Sequence, residues 1–144
     1  MTAISVVIAD QSKASRASYT KRLRPEAGIE VVAEAASGYE VVRALKLRPQ
    51  VLLLDSNISA VYGLSLLPLV RYQSPSTRVI LMTERASRTR MIDALSLGAR
   101  GYLKKALAPD VLAKAVRVVD RGEVWVPRAV VLSILQTVGR LSVG

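Results

Sequence analysis

Val51-Leu52-Leu53-Leu54-Asp55-Ser56-Asn57 is the stretch on which the fold turns. Four consecutive aliphatic residues, with Pro49-Gln50 before them and Asp-Ser-Asn after, make a short strand buried on both faces, as in the middle of a parallel sheet. The run ends on a carboxylate. Open α/β sheets bind their ligands beyond the carboxyl ends of the strands, so an acid at that point stands at the chemically productive edge. Asp also starts turns after strands, and this stretch alone leaves both readings of Asp55 open.

Similar runs lie on either side. Ile4-Ser5-Val6-Val7-Ile8-Ala9 also ends on an acid, Asp10. Residues 29–35 are more mixed in polarity and are expected at a sheet edge. Residues 78–82 form a buried run ending on Thr83, and residues 100–105 a short last strand ending on Lys105. Helical signals fill the gaps. Ser12 is placed to cap a helix over 13–24 that Pro25 stops; Lys13, Arg16, Lys21, Arg22 and Arg24 give it a basic outer face, with Ala14, Ala17 and Leu23 as its apolar side. A second helix opens at Ser37-Gly38-Tyr39-Glu40, with Val41, Val42 and Leu45 at helical spacing. A third, over 64–71, contains Pro68, which should kink or shorten it. The fourth, over 87–97, carries Met91, Ala94 and Leu95 and closes at Gly98. The fifth starts at Ala108-Pro109-Asp110, buries Val111, Leu112, Ala115, Val118 and Val119, and ends at Gly122. Five strands alternating with five helices, without internal repeats, predict an α/β fold with a five-stranded, doubly wound parallel sheet.

Composition narrows the chemistry. The 144 residues suit one compact domain, and 51% hydrophobic content with a mean hydropathy of +0.30 excludes disorder. No apolar run approaches the roughly 20 residues of a membrane span. The N-terminal run is short and ends in Asp10, so no export signal is read and a cytoplasmic location is expected. Cys and His are both absent, which removes thiolate and imidazole ligands, disulfides and Ser-His triads. No Gly-rich phosphate loop follows the first strand, where Asp10-Gln11-Ser12-Lys13 stands instead. Chemistry is left to carboxylates, hydroxyls, Lys and Arg. The net charge of +10 favours acidic partners or polyanions, while 4% aromatic residues provide no stacking platform for bases.

Asp10, Asp55, Thr83 and Lys105 each end a different strand. Strand ends of one parallel sheet lie within a few spacings of about 4.8 Å. Each residue has an ordinary explanation as a cap, a strand end or a solvated tail. Together they make a phosphoryl site: a carboxylate nucleophile, a second acid to help hold Mg²⁺, a hydroxyl for one phosphoryl oxygen and an ammonium for another.

At these residues the chain resembles a response-regulator receiver domain of two-component signalling, of the NarL/LuxR type. The likeness covers residues 4 to about 121 and runs on into Gly122-Glu123-Val124-Trp125-Val126-Pro127-Arg128. Its most specific part is Leu97-Gly98-Ala99-Arg100-Gly101-Tyr102-Leu103-Lys104-Lys105, similar to that subgroup's fifth-strand signature. The resemblance implies the flavodoxin-like strand order 2-1-3-4-5. It makes Asp55 the phosphoacceptor for a histidine kinase, with Asp10, Asp55 and the backbone carbonyl of Asn57 holding Mg²⁺. It makes Thr83 the switch hydroxyl, Lys105 the phosphoryl-binding lysine and Tyr102 the aromatic that swings inward on activation; Lys104 is expected to face outward.

Three positions depart from the family pattern. Gln11 replaces a second adjacent acid, which weakens the field that holds Mg²⁺. Ser59 stands where proline is common. Glu84 follows Thr83 where a very small residue is usual; it either modulates access to Asp55, or returns negative charge near Lys105, or is simply a solvated helix start. Two functions follow: a regulator that is phosphorylated and then switches a dimer or partner interface, and an atypical receiver that works without phosphorylation as an interaction or dimerisation module. Neither is an enzyme in the ordinary sense. A third reading, from another class, is a basic α/β protein that binds nucleic acid directly, with affinity falling steeply with salt.

The expected receiver domain is 1–121. Residues 122–144 read as a linker with a short amphipathic helix, in which Val131, Leu132 and Leu135 are exposed aliphatics suited to packing on a second copy. In the resembling subgroup such a linker leads to a DNA-binding domain. That domain is absent here, so control of transcription would lie in a part not present, and the chain is either a fragment or complete.

Overall fold

The computed structural model describes residues 2–58, 63–128, 131–132 and 135–136. Its elements run β1 (Ile4–Ala9), α1 (Lys13–Leu23), β2 (Ile29–Ala35), α2 (Gly38–Ala44), β3 (Val51–Asp55), α3 (Gly63–Gln73), β4 (Arg78–Thr83), α4 (Arg88–Ser96), β5 (Gly101–Lys104) and α5 (Ala108–Asp120). All strand pairs are parallel and the order is β2-β1-β3-β4-β5, as expected. The stretch 51–55 is the middle strand, every residue of it buried. β2 lies at an edge and alternates between exposed and buried positions, which is the physical content of its mixed polarity.

Period-two alternation sends the strand side chains into two cores. Val7, Leu52, Leu54, Val79, Leu81 and Tyr102 pack with Val41 of α2, Leu67 and Val70 of α3, and Met91 and Ala94 of α4. On the other face, Val6, Ile8, Val51, Leu53, Ile80, Met82 and Leu103 pack with Tyr19 and Leu23 of α1 and with Leu112, Ala115, Val116 and Val119 of α5. Gly101 lets β4 and β5 close: a Cβ there would lie 2.9 Å from Ile80 Cγ1. Arg117 of α5 ties that helix to the α1–β2 connection, its guanidinium donating to Glu26 Oε1 and to the Ala27 carbonyl, each at 2.8 Å.

Some local expectations change. In α1 the caps are as expected, with Ser12 Oγ accepting from the Ser15 N–H at 3.2 Å. The apolar side is not: Ala14 and Ala17 are exposed, and the inward stripe is Ser15, Tyr19 and Leu23 flanked by Arg16 and Thr20. Methyl groups carry too little buried area to set a helix's rotation, and Tyr19 and Leu23 outweigh them. α3 runs unbroken over eleven residues with the exposed Pro68 inside, so the proline does not shorten it. Lys105 lies one residue past β5 and opens a 3₁₀ turn, Lys105–Leu107.

The chain does not leave the domain at the end of α5. Trp125 forms a parallel bridge with Gly101; the Trp125 N–H donates to the Arg100 carbonyl at 2.9 Å and the Tyr102 N–H to the Trp125 carbonyl at 2.8 Å. Val126 packs on the core that contains Tyr102, and the Trp125 indole on the other. Arg128, Val131, Leu132, Leu135 and Gln136 are helical, and Val131, Leu132 and Leu135 are exposed as expected. No described helix is long and apolar enough to cross a membrane.

Candidate functional site

Parallel pairing puts the carboxyl ends of β1, β3 and β5 at one edge, and the residues that follow them meet there. Lys105 Nζ lies 2.9 Å from Asp10 Oδ2 and 3.0 Å from Asp55 Oδ1. All three side chains are shielded, at 12%, 3% and 7% exposure respectively. One ammonium thus serves two buried carboxylates. Burial pulls the Lys105 pKa down, but the hydrogen bonds to Asp10 and Asp55, together with their charges, outweigh it and the net shift is upward. Tyr19 forms part of the surroundings: burial chiefly raises its phenol, opposed by Lys105 and reinforced by Asp10 and Asp55.

Backbone groups fix the acids. Asp10 Oδ1 accepts from the Ser12 N–H at 2.8 Å, in the turn that leads into α1. Arg16 Nη1 donates to the Asp10 carbonyl at 2.6 Å while its Nε bonds Glu34 Oε1 at 3.1 Å. Arg16, read from the sequence as part of an outward basic face, is 14% exposed and braces the site from α1. Its position six residues after Asp10, in the first turns of the helix that Ser12 caps, was the available signal. Asp55 Oδ1 accepts from the Asn57 N–H at 3.3 Å, which orients the carboxylate along the β3 exit.

The remaining expected residues lie around this centre in different relations to it. The Thr83 hydroxyl donates to the Arg85 carbonyl at 3.0 Å and is spent on its own loop. Glu84 is 76% exposed, and its Oε1 is 3.8 Å from Lys105 Nζ. Tyr102 is buried, at 2% exposure, and its hydroxyl accepts from the Ser87 N–H at 3.1 Å. Ser87 is the N-cap of α4, a partner that nothing in the sequence indicated. Lys104 is exposed, as expected, and so is Gln11. Ser59 lies outside the described residues.

Asp10 and Asp55 face a common point, since one cation already bridges them, and hard oxygen donors of this kind suit Mg²⁺. The described residues hold no cluster of three or more His, Cys, Asp or Glu that could take a metal. A divalent ion would therefore have two carboxylates, backbone or amide oxygens and water, and would compete with Lys105 for both acids.

A five-stranded parallel sheet with two acids and a lysine at its carboxyl edge defines a receiver-type α/β domain. The chain belongs to the response regulator receiver domain family, which it matches over residues 6–117. It is 32% identical to the nitrate/nitrite response regulator protein NarP of Escherichia coli over 84% of this chain and 57% of that protein. It is 31% identical to the oxygen regulatory protein NreC of Staphylococcus epidermidis over 92% of this chain and 62% of that one. In three dimensions it is similar to the isolated receiver domain of RcsB from Salmonella enterica serovar Typhimurium in the apo form. That match has a TM-score of 0.83 and 25% identity, and covers 92% of this chain and 98% of that one. The chain spans about 60% of the length of the curated relatives, 59% of a nitrate/nitrite response regulator homolog from Haemophilus influenzae and 62% of NreC.

Proposed function

We propose that this receiver domain accepts a phosphoryl group on Asp55 from a phosphohistidine of a histidine kinase. A lone pair of the Asp55 carboxylate forms the new O–P bond as the N–P bond breaks. The departing electron pair stays on the donor imidazole, which takes up a proton, and an acyl phosphate results. The observation that supports this is the single ammonium of Lys105 against Asp10 and Asp55. It neutralises the nucleophile's surroundings before reaction and stands ready to pair with phosphoryl oxygens afterwards. Asp10, Asp55 and the Asn57 carbonyl would hold Mg²⁺, which would supply further charge neutralisation. Gln11 offers a neutral oxygen at best. Thr83 gives up the Arg85 carbonyl to reach the phosphoryl group, which moves the β4–α4 loop that also carries Ser87.

Incubation with phosphoramidate and Mg²⁺, followed by intact-mass measurement, tests the reading. One added phosphoryl group on the native chain and none on Asp55→Asn is expected; no adduct on either removes the reading. Mg²⁺ affinity is best followed by calorimetry, because the lone Trp125 pairs with Gly101 at the far end of β5. Gln11→Asp should tighten Mg²⁺ binding by about tenfold, since it adds one anionic ligand to the site.

A second reading rests on Tyr102 and Glu84. The Tyr102 side chain is already inward with its hydroxyl engaged, and a carboxylate already stands 3.8 Å from Lys105. These features support a receiver that holds one conformation without phosphorylation and serves as a dimerisation module. Its partner would be a second copy, recruited through Val131, Leu132 and Leu135; a monomer at all concentrations in sedimentation would remove it. In either case, control of transcription would act through a DNA-binding domain beyond the present chain.

A further inference from the structure

The amino-terminal edge of the sheet, opposite the acidic site, is lined by arginines. Arg71 lies in the last turn of α3, Arg78 opens β4 and Arg100 immediately precedes β5. Parallel topology brings their backbones to one cleft of about 260 Å³ between the end of α3, the Ser74–Thr77 turn and the α4–β5 connection; the Arg78 guanidinium itself lies across the sheet, at the end of α5, so the cations of the cleft are Arg71 and Arg100. Its floor is apolar, from Leu67, Val70 and Val79, and no carboxylate lines it.

Among the described residues none of these guanidiniums has a carboxylate within ion-pair distance. Arg78 Nη1 donates to the Asp120 carbonyl at 3.2 Å, a dipole at the end of α5 that anchors the side chain without neutralising it. The Asp120 carboxylate accepts from Gln50 Nε2 at 3.2 Å. Arg71 is held at the other wall. Gly98 has φ +108, and a Cβ on it would sit 2.6 Å from Arg71 Nη2, so the guanidinium rests where any other residue would project a side chain. Two unneutralised cations, Arg71 and Arg100, beside one concavity repel each other, and an anion would reverse the sign of that interaction.

We propose that this cleft is a binding site for a small phosphate-bearing anion, distinct from the acidic edge. Guanidinium forks match phosphate oxygens bidentately, and two positive charges suit a dianion better than a monocarboxylate. The volume is several times that of a water molecule, about 30 Å³ each. It accommodates a phosphate group with a small organic body on the apolar floor.

Inorganic phosphate and ribose 5-phosphate serve as probes, titrated at constant ionic strength with chloride as the balancing anion, and followed by amide NMR and calorimetry. Saturable shifts centred on Gly98 and Arg100 are expected, with the ester tighter than the free ion. Arg71→Gln/Arg100→Gln should weaken binding at least tenfold. The conservative Arg71→Lys/Arg100→Lys, which keeps the charge and loses the forks, should weaken it several-fold with the fold intact. The proposal fails if the response does not saturate, if both arginine variants bind as the native chain does, or if the shifts centre on Asp10, Asp55 and Lys105, which would place the anion at the acidic edge. Association with duplex DNA that falls steeply with salt, without saturable binding of either probe, would also overturn it in favour of a diffuse basic surface.

Discussion

Removing an ammonium that two buried carboxylates share leaves both without their counter-charge, and breaking a buried pair in this way is far costlier than the pair's own net contribution. Lys105→Met should therefore destabilise the domain by about 3 kcal/mol in urea denaturation at neutral pH. The alkaline limb carries the signature of the pair. Because the folded-state pKa of Lys105 lies above its ordinary 10.5, the stability it contributes is complete below that value and is lost as pH rises through the folded-state value. The raised Tyr19 phenol acts in the same direction above its ordinary 10.0. The difference in stability between the native chain and Lys105→Met should stay flat from pH 7 to about 10 and shrink beyond it; a difference that shrinks already between pH 7 and 9 contradicts the shared-ammonium geometry. Asp10, Asp55 and Lys105 were legible in the sequence because each closes a hydrophobic run, and parallel topology does the rest. The partners of Thr83 and Tyr102 were not. They depend on the path of the loop from Glu84 to Ser87, which no periodicity encodes.

Elements were read well where burial is continuous and less well where it is partial. β3 and β4 declared themselves by unbroken aliphatic runs. The rotation of α1 was misjudged, because its inward stripe consists of Ser15, Arg16, Tyr19 and Thr20 as much as Leu23, and polar residues that brace a site look like surface. Val116 of α5 is fully buried although the sequence stripe left it out, because the helix is covered by both the sheet and α1. The Gly122–Val126 segment went unrecognised as sheet structure, since one bridge residue has no alternation to reveal it. Trp125→Ala should cost about 2 kcal/mol, less than a fully buried aromatic because the indole is half-exposed. Hydrogen exchange at the Tyr102 amide, which donates to Trp125, should accelerate with it. Unchanged protection there would show that the pairing is not what holds the segment in place.

At the scale of the molecule the charge of +10 is the dominant unspent quantity. Six ion pairs among the described residues, three of them on Lys105, leave most Arg and Lys side chains without an acid. Self-repulsion on that scale opposes the compact state and is screened by salt. Raising sodium chloride from about 0.02 to about 0.3 M should therefore increase the melting temperature by about 3 °C, roughly 1 kcal/mol. A decrease would mean that the surface ion pairs outweigh the repulsion. Fold class and strand order followed from pattern and resemblance together, whereas the meeting of Arg71 and Arg100 at one cleft needed coordinates, because the two are distant in sequence.

The Trp125 bridge also bears on where this polypeptide tolerates being cut. With Trp125 in place, part of the outer rim of β5 is occupied by the chain's own backbone, and unpaired donors and acceptors there are fewer. A protease nick or stop codon at the close of α5 would bare that rim beside a run as apolar as Gly101-Tyr102-Leu103, and the shortened product would offer it to its neighbours as a template for cross-strand assembly. Five residues beyond α5 thus separate a domain whose rim is covered from one prone to precipitate.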